Sequence, residues 1–149
     1  MRGIVIPTLL GSKPFVIDLG PNQLQTFYKV IDCRCIDIVE LDEDNAIAID
    51  CVIDDEGLLA SKPINQYWGR SYLFGCCDMP LFGITVITMT DLSTGETIDI
   101  NLSKVRRILV EKFGFTESEL IDCNDNQYWE FKDGELKRKQ VLLEDKYVD

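Results

Sequence analysis

The sequence predicts an α+β fold: a mostly antiparallel sheet of five or six strands, two or three helices, and a C-terminal β-hairpin extension. Three observations predict it. Short β-branched runs alternate between apolar and polar residues. Glycine, proline and asparagine punctuate them at short intervals. Few segments show helical spacing between capping residues. At 149 residues the chain is long enough for one domain with a sizeable core. Its 46% hydrophobic and 28% charged content is that of a globular protein, not a disordered one.

Each element follows from local chemistry. Residues 2–7 and 13–19 are short β-branched stretches around a Gly-Ser turn, a hairpin pattern. Gly20-Pro21-Asn22 breaks the second strand, and Pro21 or Asn22 starts a helix whose apolar face is Leu24, Phe27, Tyr28 and Ile31. Residues 33–41 alternate, with Cys33, Cys35 and Asp37 on one face and Arg34, Ile36, Ile38 and Glu40 on the other. The L-D-E-D-N stretch turns the chain into the strand A-I-A-I-D-C-V-I-D. Asp54-Asp55-Glu56-Gly57 then reads as a turn, with glycine free to take positive φ. Pro63 stops any continuing strand, and Asn65 caps a short helix over Q-Y-W-G-R-S-Y-L-F. Residues 80–90 are the strongest strand pattern, and L-S-T-G-E turns it into E-T-I-D-I.

Asn101 or Ser103 caps the best helix, residues 104–113, which Gly114 closes. Val105, Ile108, Leu109 and Phe113 form its buried stripe, leaving Lys104, Arg107 and Lys112 outside. Beyond Gly114, Thr116 and Glu119 have capping-box spacing over one helical turn. Residues 127–140 surround an Asp-Gly pair, the strongest short-range hairpin signal. The expected organisation is a single α+β domain over 1–113. An extension over 114–149 packs on that domain or on a partner.

Composition narrows the chemistry. Fifteen basic against 26 acidic residues give a net charge of −11, which repels nucleic acid and anionic membranes. No apolar run is long enough to span a bilayer. The opening M-R-G-I-V-I-P-T-L-L-G-S reads as a first strand, not a signal peptide. Six cysteines without a secretory signal are expected to be reduced thiols in the cytosol. The absence of histidine removes imidazole acid–base work, Ser-His-Asp and Cys-His catalysis, and His-containing zinc sites.

No cofactor or metal is expected from the remaining motifs. There is no C-x-x-C pair. Cys33, Cys35 and Cys51 facing one another across a hairpin would hold a metal, but small buried hydrophobes is the simpler reading. Asp122, Asn124, Asn126 and Asp133 occupy positions 1, 3, 5 and 12 of a calcium loop, yet Gln127 replaces its glycine and Asp133 its glutamate. Asp37, Asp50, Asp54, Asp55 and Glu56 would supply carboxylates to a metal-dependent hydrolase, or form a solvated acidic face. Tyr67, Trp68, Tyr72 and Phe74 serve as core cover or as an interface. No glycine-rich phosphate loop is present.

The segment I-D-D-E-G-L-L-A-S-K-P-I-N resembles the V-D-E-E-G-x-x-x-x-x-P-x-N segment of the family known only as domain of unknown function 3846. The order of elements over residues 1–113 is also similar, including I-D-I-V-E-L and P-L-F-G-I-T-V-I-T. Two departures stand out: Ser61-Lys62 replace a large apolar residue or glycine, and the tail after Gly114 extends the family pattern. The resemblance implies a small cytosolic protein of phages, plasmids and other mobile elements. It carries over no catalytic residues.

The functional expectation is a non-catalytic accessory protein that binds another protein, with a homodimer among the arrangements. Its contact residues are Asp54, Asp55, Glu56, Asn65, Tyr67, Trp68, Tyr128 and Trp129. Alternatives are an acidic anti-defence inhibitor that occupies a nuclease's basic groove, a nucleotide or small-molecule binder, and the hydrolase above.

Overall fold

The computed structural model describes residues 1–7, 13–55 and 83–140. In chain order the elements are β1 (Arg2–Ile6), β2 (Phe15–Asp18), α1 (Gln23–Ile31), β3 (Ile36–Asp44), β4 (Ile47–Asp54) and β5 (Thr85–Asp91). They continue with β6 (Glu96–Ile98), α2 (Leu102–Phe113), β7 (Gln127–Lys132) and β8 (Glu135–Gln140). The eight strands form one sheet in the order β3-β4-β5-β1-β2-β7-β8, and β6 pairs with β5 beyond the end of β1. Eight strands exceed the five or six expected, because the C-terminal hairpin adds its strands to the same sheet. Among the described residues all pairings are antiparallel except β2 with β7, which is parallel, Ile17 lying beside Trp129 and Asp18 beside Glu130.

The sheet is covered on both faces. On one face Ile4, Ile6, Val16, Ile49, Cys51, Ile87 and Met89 pack against Leu102, Val105, Ile108 and Leu109 of α2. On the other, Val5, Ile17, Val52 and Val86 pack against Phe27, Val30 and Ile31 of α1. Period-2 geometry explains why central strands read as unbroken apolar runs: successive side chains enter opposite cores. Each fully buried aliphatic side chain contributes roughly 1.5–3 kcal/mol.

Of the caps the sequence offers, the structure takes Asn22 and Asn101, so α2 begins at Leu102, ahead of the expected start at Lys104. Asn22 accepts a hydrogen bond from the backbone N–H of Gln25 at 3.2 Å, and Asn101 one from Lys104 at 3.1 Å. Gly114 ends α2 at φ 73°, a left-handed cap that glycine adopts without strain. The buried stripe of α1 is rotated toward Val30, which leaves Leu24 46% exposed and corrects its expected place on the apolar face. Phe113 is half-buried at the end of α2, not part of its fully buried stripe.

Close packing fixes the middle of the sheet. An added Cβ at Gly3 would stand 2.9 Å from the carbonyl oxygen of Ile87 and 3.2 Å from Val86 Cγ1. Arg2 ties the start of β1 to the other end of the domain. Its guanidinium donates to Asp99 at 2.9 Å and to Asp125 at 2.8 Å, and its backbone N–H donates to Asp99 at 2.9 Å. These bonds raise the arginine's pKa above its ordinary value despite partial burial.

The β3–β4 hairpin turns at Asn45 (φ 52°) and Ala46 (φ 62°), the two left-handed positions of a type I′ turn. Within β3, Glu40 pairs with Asp50 and Asp42 with Ile49, so Leu41 is an extra residue in a β-bulge. The capping box forms as expected: Thr116 N–H donates to Glu119 Oε1 at 3.0 Å, and Glu119 N–H donates back to Thr116 Oγ1 at 3.2 Å. It closes turns, not a helix, and Phe115, Leu120 and Cys123 from this stretch are buried in the α2-side core.

Candidate binding surface

The C-terminal ribbon holds the most distinctive surface chemistry among the described residues. Asp133 (φ 54°) and Gly134 (φ 78°) make the tight turn the Asp-Gly pair requires. The ladder then pairs Trp129 with Arg138, Glu130 with Lys137 and Phe131 with Leu136. Neighbouring β2 fixes which way each side chain points. Val16 and Ile4 lie opposite one another on the α2 face, so Asp18 and its neighbour Glu130 share that face, as do Lys137 and Lys139. Trp129, Phe131, Leu136 and Arg138 therefore lie on the α1 face.

Tyr128 and Trp129 are half-buried. Tyr128 packs on the α2-side core, while the Trp129 ring meets Phe15 at 5.7 Å between centroids, tilted by 57°. The two predicted aromatics thus anchor the ribbon on opposite faces and hold its outer strand in place. That outer strand is polar. Glu135 through Lys139 are all exposed, and three of these five residues are basic. Lys139 approaches Glu130 at 3.4 Å and Lys137 approaches Asp133 at 3.9 Å. Exposed pairs of this kind contribute no more than about 1 kcal/mol each.

Beside the ribbon, a cleft of about 400 Å³ separates it from the start of α1. Asn22, Gln25, Thr26 and Lys29 line one side, and Glu130, Phe131 and Lys132 the other. The Lys29 ammonium lies 5.8 Å from the Phe131 ring centroid, a cation–π contact. The lining mixes charges of both signs with one aromatic wall, which suits polar side chains of a protein better than an apolar small molecule. Sequence reasoning missed Lys29 and the K-R-K run of β8. The usable signal was three consecutive bases in a strongly acidic chain.

The other predicted contact residues divide. Asp54 ends β4 on the α1 face and is only 6% exposed, so it is not on an exposed turn. Asp55 is exposed in the turn, its N–H donating to the Cys35 carbonyl at 3.0 Å. Glu56, Asn65, Tyr67 and Trp68 lie outside the described residues, as do Gly57, Pro63 and the Tyr72–Phe74 aromatics. The structure does not bring the three cysteines together. Cys51 enters the α2-side core, Cys33 packs against the α1-side core, and Cys35 is exposed. Nor do the calcium-loop residues converge: Asp122 accepts from Gln127, Asn124 from the Asn126 N–H, and Asp133 sits at the far end of β7. Among the described residues no group of three His, Cys, Asp or Glu side chains is placed to hold a metal. None of the described helices is long and apolar enough to cross a membrane.

The strand β3 is the chemical opposite of β8. Among the described residues these two strands close the two ends of the sheet. Asp37, Glu40, Asp42, Glu43 and Asp44 give β3 five acids and no base. Lys112 and Lys104 of α2 neutralise Asp42 and Asp44. Asp37, Glu40 and Glu43 remain exposed, and beside them Ile38 is 57% exposed.

The chain belongs to the family described as Domain of unknown function (DUF3846), which it matches over residues 1–113. No curated protein matches it. No solved structure matches it. The family match ends at the last residue of α2, so the ribbon just described lies beyond it.

Proposed function

We propose that this family member is a non-catalytic accessory protein of a phage or mobile genetic element, acting in the host cytosol by binding another protein through its C-terminal ribbon. The observation that carries the reading is an exposed basic strand, held by two anchored aromatics, on a chain of net charge −11. Such a local reversal of sign steers an acidic partner to one place on the molecule. Outward-facing strand backbone then offers main-chain hydrogen bonds to an extended segment of that partner. The test is capture of the tagged protein from its natural host beside a K137E/R138E variant. The reading predicts a partner retained by the unmodified chain and lost by the variant. Identical captured proteins would overturn it.

The acid row of β3 favours a second reading, an anti-defence inhibitor that lays this edge in a nuclease's basic groove. Its binding falls steeply with added salt, because exposed charge pairs are screened within about 8 Å at physiological ionic strength. Binding that does not vary with salt would reject it.

A further inference from the structure

We infer that the chain associates with itself head to tail, the basic edge β8 of one copy pairing with the acidic edge β3 of the next. The inference rests on the protein-binding reading of the ribbon and names a second copy of this chain as its partner.

Four features of the two edges agree. The first is sign: β3 has five acids and no base, whereas β8 has three bases and one acid. Like edges repel and unlike edges attract, so neither β3 with β3 nor β8 with β8 competes. The second is direction. Following the pairings across the sheet, β3, β5, β2 and β7 run one way, and β4, β1 and β8 the other. A second copy placed beside the first, same face up, therefore meets it with β8 antiparallel to β3, and no inversion is needed.

The third is the match of faces. On the α2 face β8 presents Lys137 and Lys139, while β3 presents Asp37 opposite Ile53 of that same core. On the α1 face β8 presents Leu136 and Arg138, while β3 presents Ile38 and Glu40. In the antiparallel register that sets Lys137 opposite Asp37, Leu136 falls opposite Ile38 on the other face, so an ion pair on one side accompanies an apolar pair on the other. The fourth is exposure. Among the described residues, Ile38 and Leu136 are two of the few large apolar side chains left in water, at 57% and 37%, and head-to-tail pairing puts both on one face of one junction.

Both edges carry restraints. The Ile38 N–H is held by the Asp37 carboxylate at 2.8 Å, and the bulge at Leu41 confines regular pairing to residues 36–40. Pairing must exchange the first bond for a ladder bond as Asp37 turns to lysine. The junction is short and therefore weak. Because it uses two different patches, it propagates into open chains or closed rings, not a symmetric dimer.

The experiment uses the purified full chain alone, so its outcome is independent of any host protein. Mass in solution is followed by light scattering over a hundredfold range of concentration, at low salt and at 1 M salt. The expected result is a mass that climbs from 17.0 kDa to multiples of it with concentration at low salt, and returns to the single-chain value at high salt. D37K/E40K and K137E/R138E are each expected to stay monomeric, with unchanged circular dichroism. Mixing the two is expected to restore association, since each then supplies an edge of sign opposite to the other's. A wild type that stays at 17.0 kDa throughout overturns the inference. So does association that both variants retain, or that their mixture fails to restore. A monomeric chain that still captures its host partner through the ribbon would sink self-association and leave the proposed function standing.

Discussion

Replacing Gly3 by alanine sets two physical effects of opposite sign against each other. In an ordinary strand, Gly→Ala stabilises by about 0.5–1 kcal/mol, because the unfolded chain loses freedom. At Gly3 the new Cβ would stand 2.9 Å from the Ile87 carbonyl oxygen, a separation that real Cβ atoms essentially never show. The obstacle is backbone, and it cannot swing aside. Strand β1 cannot retreat either, since β2 holds its other side with Gly3 opposite Ile17. Overpacking of this kind costs about 1–3 kcal/mol. Steric clash therefore wins, and G3A is expected to lose about 1–2 kcal/mol once the entropy gain is subtracted. For a domain of this size that lowers Tm by about 2–8 °C, read by circular dichroism on heating. Urea unfolding should move its midpoint without changing its slope. A Tm equal to or above that of the unmodified chain would refute the close approach of β1 to β5.

Three further outcomes are expected. Ala46 occupies a left-handed turn position at φ 62° that strains any side chain, so Ala46→Gly should stabilise by about 0.5–1 kcal/mol in urea unfolding; a loss of stability would mean the turn has another geometry. Burial pushes the Asp99 carboxyl up, but the bonds from Arg2 outweigh it and hold the group below its ordinary 3.8. A carboxyl lowered in the folded state adds stability above its unfolded pKa, and that stability is lost as pH falls through the folded value. Stability of the unmodified chain should therefore exceed that of D99N by up to about 1 kcal/mol at pH 6, the two converging as pH falls through the carboxyl's lowered folded value; a pH-independent difference would contradict this. Burial also pushes the Cys123 thiol up to about 12, whereas Cys35 is exposed. Iodoacetamide at pH 8 should modify Cys35 in the folded protein and reach Cys123 only in denaturant, as peptide mass spectrometry would show. Labelling of both at similar rates would mean the α2-side core opens.

Local chemistry was legible in the sequence, and long-range pairing was not. Asn22, Asn101 and Gly114 act within a few residues of themselves, so residue types alone narrowed both helix starts to two candidates each and located one end. Asp133-Gly134 and the Thr116–Glu119 box are equally self-contained. By contrast, nothing near Ile17 or Trp129 announces that their strands lie side by side in parallel, because parallel neighbours share no turn. The missed pairing explains why the ribbon was expected as an appendage and why the strand count fell short. The alternation over residues 33–41 grouped Cys33 with Cys35, but the strand begins only at Ile36 and the cysteines before it obey no pleat. Asp54 looked like turn chemistry because of the acids after it, yet it is the last residue of a buried strand. At the candidate surface, Tyr128 and Trp129 were legible as aromatics in a ribbon. The basic edge they support needed knowledge of which strand ends the sheet.

The parallel seam between β2 and β7 has a consequence for how the molecule is born. During translation the first hairpin leaves the ribosome early, with one flank of β2 still bare, and the strand that seals it emerges only after α2 has been made. Until then Phe15 lacks the tilted ring contact with Trp129 that covers this flank of β2. Chaperone contact with the nascent chain should concentrate there, and a ribosome that stalls just past α2 would release a protein prone to sticking to itself.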